Sequence, residues 1–357
     1  MTTPEKVIRD DIRAISAYHV EPPAGMVKLD AMENPYPLPE PLRREIGELA
    51  GAAAINRYPD PSAAALKARL RATMRIPEGF DIVLGNGSDE LIQLVILAAA
   101  RTGAVIMAPE PTFVMYRLAA GFAQLRFAGV ALEQDFSLDP DRFIAAMAEQ
   151  RPAVVFISYP NNPSGNLYRE DAIVRIIEAA PGLVVVDEAY HVFAGRTFMT
   201  RLGEFPNLMV MRTVSKLGLA GLRLGYGVAR PAWTGEFEKL RPPYNVGVLT
   251  QVVAERVLAN HAVLEAQAAA IRADRARLSK RLEAIAGVDQ FPSDANFILA
   301  RLPDAPRVFK GLMRRGVLVR NLHGAHPLLA HCLRLTVGTP EENDRLCAAL
   351  AASMAEL

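Results

Sequence analysis

Four short stretches of this chain hold residues able to do chemistry at telling positions. Lys216 follows Thr213-Val214-Ser215 and precedes glycines at 218, 221, 225 and 227, with Arg223 among them. Asp187 closes the apolar run Leu183-Val184-Val185-Val186 and is followed by Glu188 and Tyr190. A carboxylate there is partly desolvated and needs a positive partner. Asn161 and Asn162 stand between Pro160 and Pro163, directly after another apolar run. Gly85-Asn86-Gly87-Ser88-Asp89 leads into a helix-like segment. Its glycines and capping residues can leave N–H groups free around a phosphate. The GxGxxG spacing and a following ribose-binding acid are lacking, which disfavours a dinucleotide.

Singly, each stretch has an ordinary reading as a capped turn, a rigid proline loop, an ion pair or a loop lysine. Jointly they say more. Three successive strands would end near Asn162, Asp187 and Lys216, on the edge where open α/β sheets bind ligands. A lysine, a carboxylate and a phosphate cradle are what pyridoxal 5'-phosphate requires. The amine carries its aldehyde, the anion keeps its ring nitrogen protonated, and the cradle takes its phosphate.

The elements that must position these residues follow from hydrophobic pattern. Strands are expected over 82–84, 104–108, 125–129, 153–158, 183–187 and 208–214, and helices over 66–74, 89–100, 112–120 and 171–180. Such alternation implies an α/β fold, a large mostly parallel sheet in a three-layer α/β/α arrangement. Residues 1–39 are rich in proline and read as an N-terminal arm, 40–248 as the large domain and 249–357 as a smaller α/β domain. Segment 250–286 has neither Pro nor Gly, so it forms one long kinked helix or two abutting ones. Strands over 296–302, 317–320 and 333–337 and helices over 306–315 and 341–354 complete the chain.

Composition narrows the function. The 357 residues are 51% hydrophobic and carry 40 Lys+Arg against 39 Asp+Glu, a net charge of +1. General affinity for nucleic acid or acidic membrane needs concentrated positive charge, so neither is expected as a partner. The longest apolar stretch, 94–100, is too short to span a bilayer. Cys332 and Cys347 match no zinc spacing, and His323, His326 and His331 read as loop residues, so no metal is expected. With no leader-like pattern at the start, the expected setting is the cytoplasm.

The set resembles the fold-type I pyridoxal-phosphate aminotransferases of class I/II over essentially the whole length. Within that group it looks most like the histidinol-phosphate aminotransferases. The pointers are Met32-Glu33-Asn34-Pro35, Asn56-Arg57-Tyr58-Pro59-Asp60, Gly85 to Glu90, Pro111-Thr112-Phe113 with Met115-Tyr116, Val317 to Arg320 and Leu333 to Thr339. The resemblance implies transamination of L-histidinol phosphate with 2-oxoglutarate, giving imidazole-acetol phosphate and L-glutamate in histidine biosynthesis. It implies Lys216 as covalent anchor and proton shuttle, Asp187 on the ring nitrogen, and Asn162 and Tyr190 on the 3-oxygen. Phe113 would stack on the ring, without the phenol that relatives commonly have. Gly87, Ser88, Asp89, Ser215 and Arg223 would hold the cofactor phosphate. Tyr58 would reach the neighbouring subunit's phosphate, which implies a homodimer with shared sites. Arg334 and Arg320 would face the substrate anion, with Tyr18 and Asn34 closing over it from the arm. Other activities on the same scaffold are an aromatic or broad-specificity amino acid aminotransferase, or a decarboxylase or lyase.

Overall fold

Short runs dense in Val, Ile and Met make strands buried on both faces, and here helices cover both sides of them. The computed structural model describes residues 2–17 and 25–357. Its strands are β1 (Val27–Leu29), β2 (Asp81–Asn86), β3 (Val105–Glu110), β4 (Arg126–Ala131), β5 (Val154–Ser158), β6 (Leu183–Asp187), β7 (Leu208–Thr213), β8 (Leu224–Ala229), β9 (Asp289–Gln290), β10 (Phe297–Arg301), β11 (Val317–Asn321) and β12 (Cys332–Thr336). Seven form a large sheet in the order β2-β8-β7-β6-β5-β3-β4. From β7 to β4 all pairs are parallel, and only β8 runs against its neighbours.

The period-2 alternation of the central strands feeds two separate cores. Val155, Ile157, Val184, Val186 and Val210 pack on one helical layer. Val154, Phe156, Val185, Met209 and Met211 pack on the other. Ser158 pairs with Asp187 and Asp187 with Met211, so the carboxyl ends of β5, β6 and β7 are level. That register brings the three expected chemical segments to one edge.

A second, five-stranded sheet has the order β1-β11-β12-β10-β9. The β1 strand comes from the segment expected to be an N-terminal arm, and it pairs in parallel with β11. Three residues are too few for a period to show in the sequence. The glycine-rich stretch after Lys216, expected as a turn, contains β8. At Gly225 a Cβ would lie 2.5 Å from the Gly87 carbonyl carbon, so glycine lets the strand run against the loop before the helix Gly87–Ala98. Segment 250–286 is two helices, Val248–Ala259 and His261–Glu283, abutting at Asn260. Among the described residues no helix is long and apolar enough to cross a membrane.

Candidate active site

Asp187 and Glu188 are adjacent carboxylates that a strand end sends in different directions. Glu188 is fully buried and accepts from Arg212 Nε at 2.9 Å and Nη2 at 2.8 Å, and from Thr197 Oγ1. It is therefore neutralised within the fold. Asp187 is 2% exposed and accepts from the Tyr116 hydroxyl at 2.7 Å and the Ala189 N–H at 3.1 Å. Among the described residues no cation pairs with it. Burial pushes its carboxyl up to about 6, and the Tyr116 bond holds it from going further.

Lys216 lies in a turn of i→i+5 type, Ser215–Leu219, just beyond β7. Its Nζ donates to the Ala31 carbonyl at 3.0 Å. Burial, with Arg334 nearby, lowers its amine to about 8, while Glu33 and Asp89 act the other way. A free base is thus accessible near neutral pH. Asp187 and Lys216 line one cavity together with Ser88, Asp89, Phe113, Asn162, Tyr190, Ser215 and Arg223.

One wall of that cavity is built for an anion. Ser88 and Asp89 open the helix Gly87–Ala98, whose first N–H groups have no intrahelical acceptor. The Arg223 guanidinium spans Asp89 Oδ2 at 3.4 Å and Ser215 Oγ at 3.5 Å, both long enough to yield to a stronger partner. Gly87 has φ +75°, and a Cβ there would stand 2.7 Å from Arg223 Nη2. The absent side chain is what lets the guanidinium approach the helix start.

The two asparagines of the proline loop divide their labour. Asn161 is a brace, donating to the Pro111 carbonyl and Ser164 Oγ and accepting from Thr112 Oγ1. Asn162 Oδ1 accepts from Arg334 Nη1 at 2.6 Å. Arg334 also donates to the Asp30 carbonyl at 2.9 Å and lies over the Phe297 ring. Arg320 and Arg334 are register partners of the antiparallel pair β11–β12, so they share a face. Both line a second cavity that shares Met32, Phe113 and Asn162 with the first. The buried Tyr190 hydroxyl donates to Met32 Sδ at 3.0 Å, and burial raises its phenol well above the ordinary value.

Two expected residues lie elsewhere. Asn34 lines neither cavity; its side chain bonds the Leu217 carbonyl and Gln267, beneath the lysine turn rather than over a substrate. Tyr58 is 81% exposed and stacks on Tyr244 with ring centroids 4.4 Å apart. Tyr18 falls outside the described residues. Conversely, sequence reasoning gave no role to Tyr116, Met32 or Arg212. Tyr116 stood only inside a recognised motif, and nothing local ties it to a carboxylate 71 residues away.

The cavity thus offers a buried anion without a cation at one side, an amine, and a cationic anion cradle at the other. This donor set fits pyridoxal phosphate, whose ring nitrogen, aldehyde and phosphate match the three in turn.

Residues 24–350 match the family model described as aminotransferase class I and II. The chain is 55% identical over 351 residues to histidinol-phosphate aminotransferase 1 of Burkholderia lata, covering 98% of each chain. It is 54% identical over 355 residues to histidinol-phosphate aminotransferase 2 of Cupriavidus pinatubonensis, covering 98% of this chain and 97% of that one. In fold it is similar to the crystal structure of histidinol-phosphate aminotransferase from Sinorhizobium meliloti in complex with pyridoxal-5'-phosphate. The TM-score is 0.88, with 24% identity and 98% of each chain covered.

Proposed function

This chain belongs to the aminotransferase class I and II family, and from that premise we propose that it transfers the amino group of L-histidinol phosphate to 2-oxoglutarate, with pyridoxal phosphate as cofactor. The observation that carries this reading is a pair of joined cavities. One holds Asp187 with Lys216; the other holds the cross-strand pair Arg320 and Arg334. The near-full-length identity to histidinol-phosphate aminotransferases supports the substrate.

Each residue then has a task. Arg334, with Arg320, holds the substrate's phosphate, and a planar guanidinium serves the carboxylates of glutamate equally well. Through Asn162, Arg334 is joined to the group that donates to the cofactor's 3-oxygen, so anion binding and cofactor orientation are coupled. Tyr190, whose hydroxyl donates to Met32 Sδ here, would serve the same oxygen. Asp187 stays ionised once a cationic ring nitrogen lies against it. Gly87, Ser88, Asp89, Ser215 and Arg223 take the cofactor phosphate, and Phe113 covers the ring. When bound, the cofactor supplies an electron sink for negative charge developing at the substrate's Cα. Lys216 Nζ would take the Cα proton and hold it for return. The exposed Tyr58 completes the site of a second subunit, making the working form a homodimer.

Turnover of histidinol phosphate plus 2-oxoglutarate, measured beside histidinol, phenylalanine, tyrosine and broad-range amino acids, tests the reading. Glutamate formation with strong preference for the phosphorylated amino alcohol is expected. A faster aromatic amino acid, or product release without an amino acceptor, overturns it. Borohydride reduction followed by peptide mapping should fix the cofactor on Lys216 alone.

A further inference from the structure

The segment after β1 reverses at Met32, where φ is +54°. Its backbone is anchored to the small sheet there. The Met32 N–H donates to Thr336 Oγ1 at 3.1 Å, and its carbonyl accepts from Asn296 Nδ2 at 2.9 Å. The residues on either side turn toward the lysine. The Ala31 carbonyl accepts from Lys216 Nζ, and Asn34 Nδ2 donates to the Leu217 carbonyl at 3.3 Å and Gln267 Oε1 at 2.9 Å.

The orientation of this amide is fixed by its neighbours. Asn34 Oδ1 accepts from the Tyr36 N–H at 2.9 Å, which leaves nitrogen as the donor end. Gln267 is fixed in turn, because its Nε2 donates to the Pro37 carbonyl. At Gly218, φ is +124°, and a Cβ would lie 2.8 Å from Asn34 Nδ2. Glycine therefore admits the amide against the turn. A single five-residue turn has no following turn to pair its last carbonyls, so these depend on outside donors.

We propose that Asn34 is a positioning residue for Lys216: its bond to the Leu217 carbonyl clamps the turn that carries the lysine while the amine, which rests on the Ala31 carbonyl when free, is engaged and released. The inference rests on Lys216 being the reactive amine. It replaces contact with substrate by control of the base. The clamp also ties the lysine turn to the helix His261–Glu283 through Gln267. Arg334 and Arg223 oppose protonation of the amine it steadies, and Glu33 and Asp89 favour it. Loosening the turn lets water reach Nζ and makes the amine more basic.

The test uses the full chain stripped of cofactor. Competitive acetylation of Lys216 across pH, read by mass spectrometry, gives the midpoint of its amine. Asn34→Ala and the near-isosteric Asn34→Leu should raise that midpoint by about one pH unit, and Gln267→Ala by less. In the loaded enzyme kcat should fall for both half-reactions with KM nearly unchanged. A wild-type midpoint in either folded Asn34 variant overturns the clamp, as does a Gln267→Ala shift as large as theirs. The Tyr36 N–H of the wild-type chain should exchange slowly with solvent, and exchange at the rate of an open loop overturns it without any variant. Borohydride fixation at a different lysine would instead remove the functional reading itself.

Discussion

The Tyr116 hydroxyl donates to Oδ2 of Asp187 at 2.7 Å, in a direction set by the Tyr116 ring stacked on Phe156 at a centroid distance of 4.6 Å. This bond is the largest influence holding the buried carboxyl down. Tyr116→Phe should therefore raise Asp187 above about 6 and make cofactor binding fail earlier as pH falls. Titrating cofactor affinity between pH 5.5 and 8 checks this. The variant should match wild type at pH 8 and weaken by roughly tenfold near pH 6, in line with one hydrogen bond to a charged group.

Asp187 itself burdens the cofactor-free fold. Its carboxyl stands at about 6 against an ordinary 3.8, so its favourable contribution is complete below about pH 4 and is lost as pH rises through about 6. Asp187→Asn should stabilise the cofactor-free chain by up to about 3 kcal/mol at pH 8 and by nothing near pH 4. Urea unfolding at the two pH values measures this. The same variant should lose roughly 100-fold or more in turnover, because it leaves a cationic ring nitrogen without its anion.

Gly87→Ala tests the anion cradle. A Cβ would meet Arg223 Nη2 at 2.7 Å, on a backbone whose φ is +75°. The backbone strain alone costs about 1–2 kcal/mol. Displacing the guanidinium should additionally weaken cofactor retention by roughly tenfold, as seen in the dissociation rate on dilution. Retention equal to wild type would show that Arg223 takes no part in holding the phosphate.

Arg334→Ala removes the proposed clamp on substrate and the partner of Asn162 together. Both half-reactions should lose about 2–5 kcal/mol in kcat/KM, as expected for truncating a buried charge-assisted pair. Arg334→Lys should recover only part, since a point charge cannot pair bidentately. Single-turnover assays with histidinol phosphate and with glutamate separate the halves. Loss confined to one would show that the two anions use different pockets.

Much of this was determined by the sequence alone, because it is local. The valine-rich runs ending at Ser158 and Asp187 specify strands buried on both faces, and the prolines and glycines beyond them specify loops at one edge. That sufficed to bring Asn162, Asp187 and Lys216 together. Tertiary structure alone decided what neutralises the adjacent Glu188, because Arg212 reaches it from the next strand. It decided that Arg320 and Arg334 stand opposite each other, through strand register that no spacing encodes. It turned a glycine-rich stretch into β8, since what those glycines require is another backbone close by. It also moved Asn34 from over the substrate to beneath the lysine. A side chain's hydrogen-bond partners are set by what packs beside it, and Asn34 lies 183 residues from Leu217 and 233 from Gln267 in the chain.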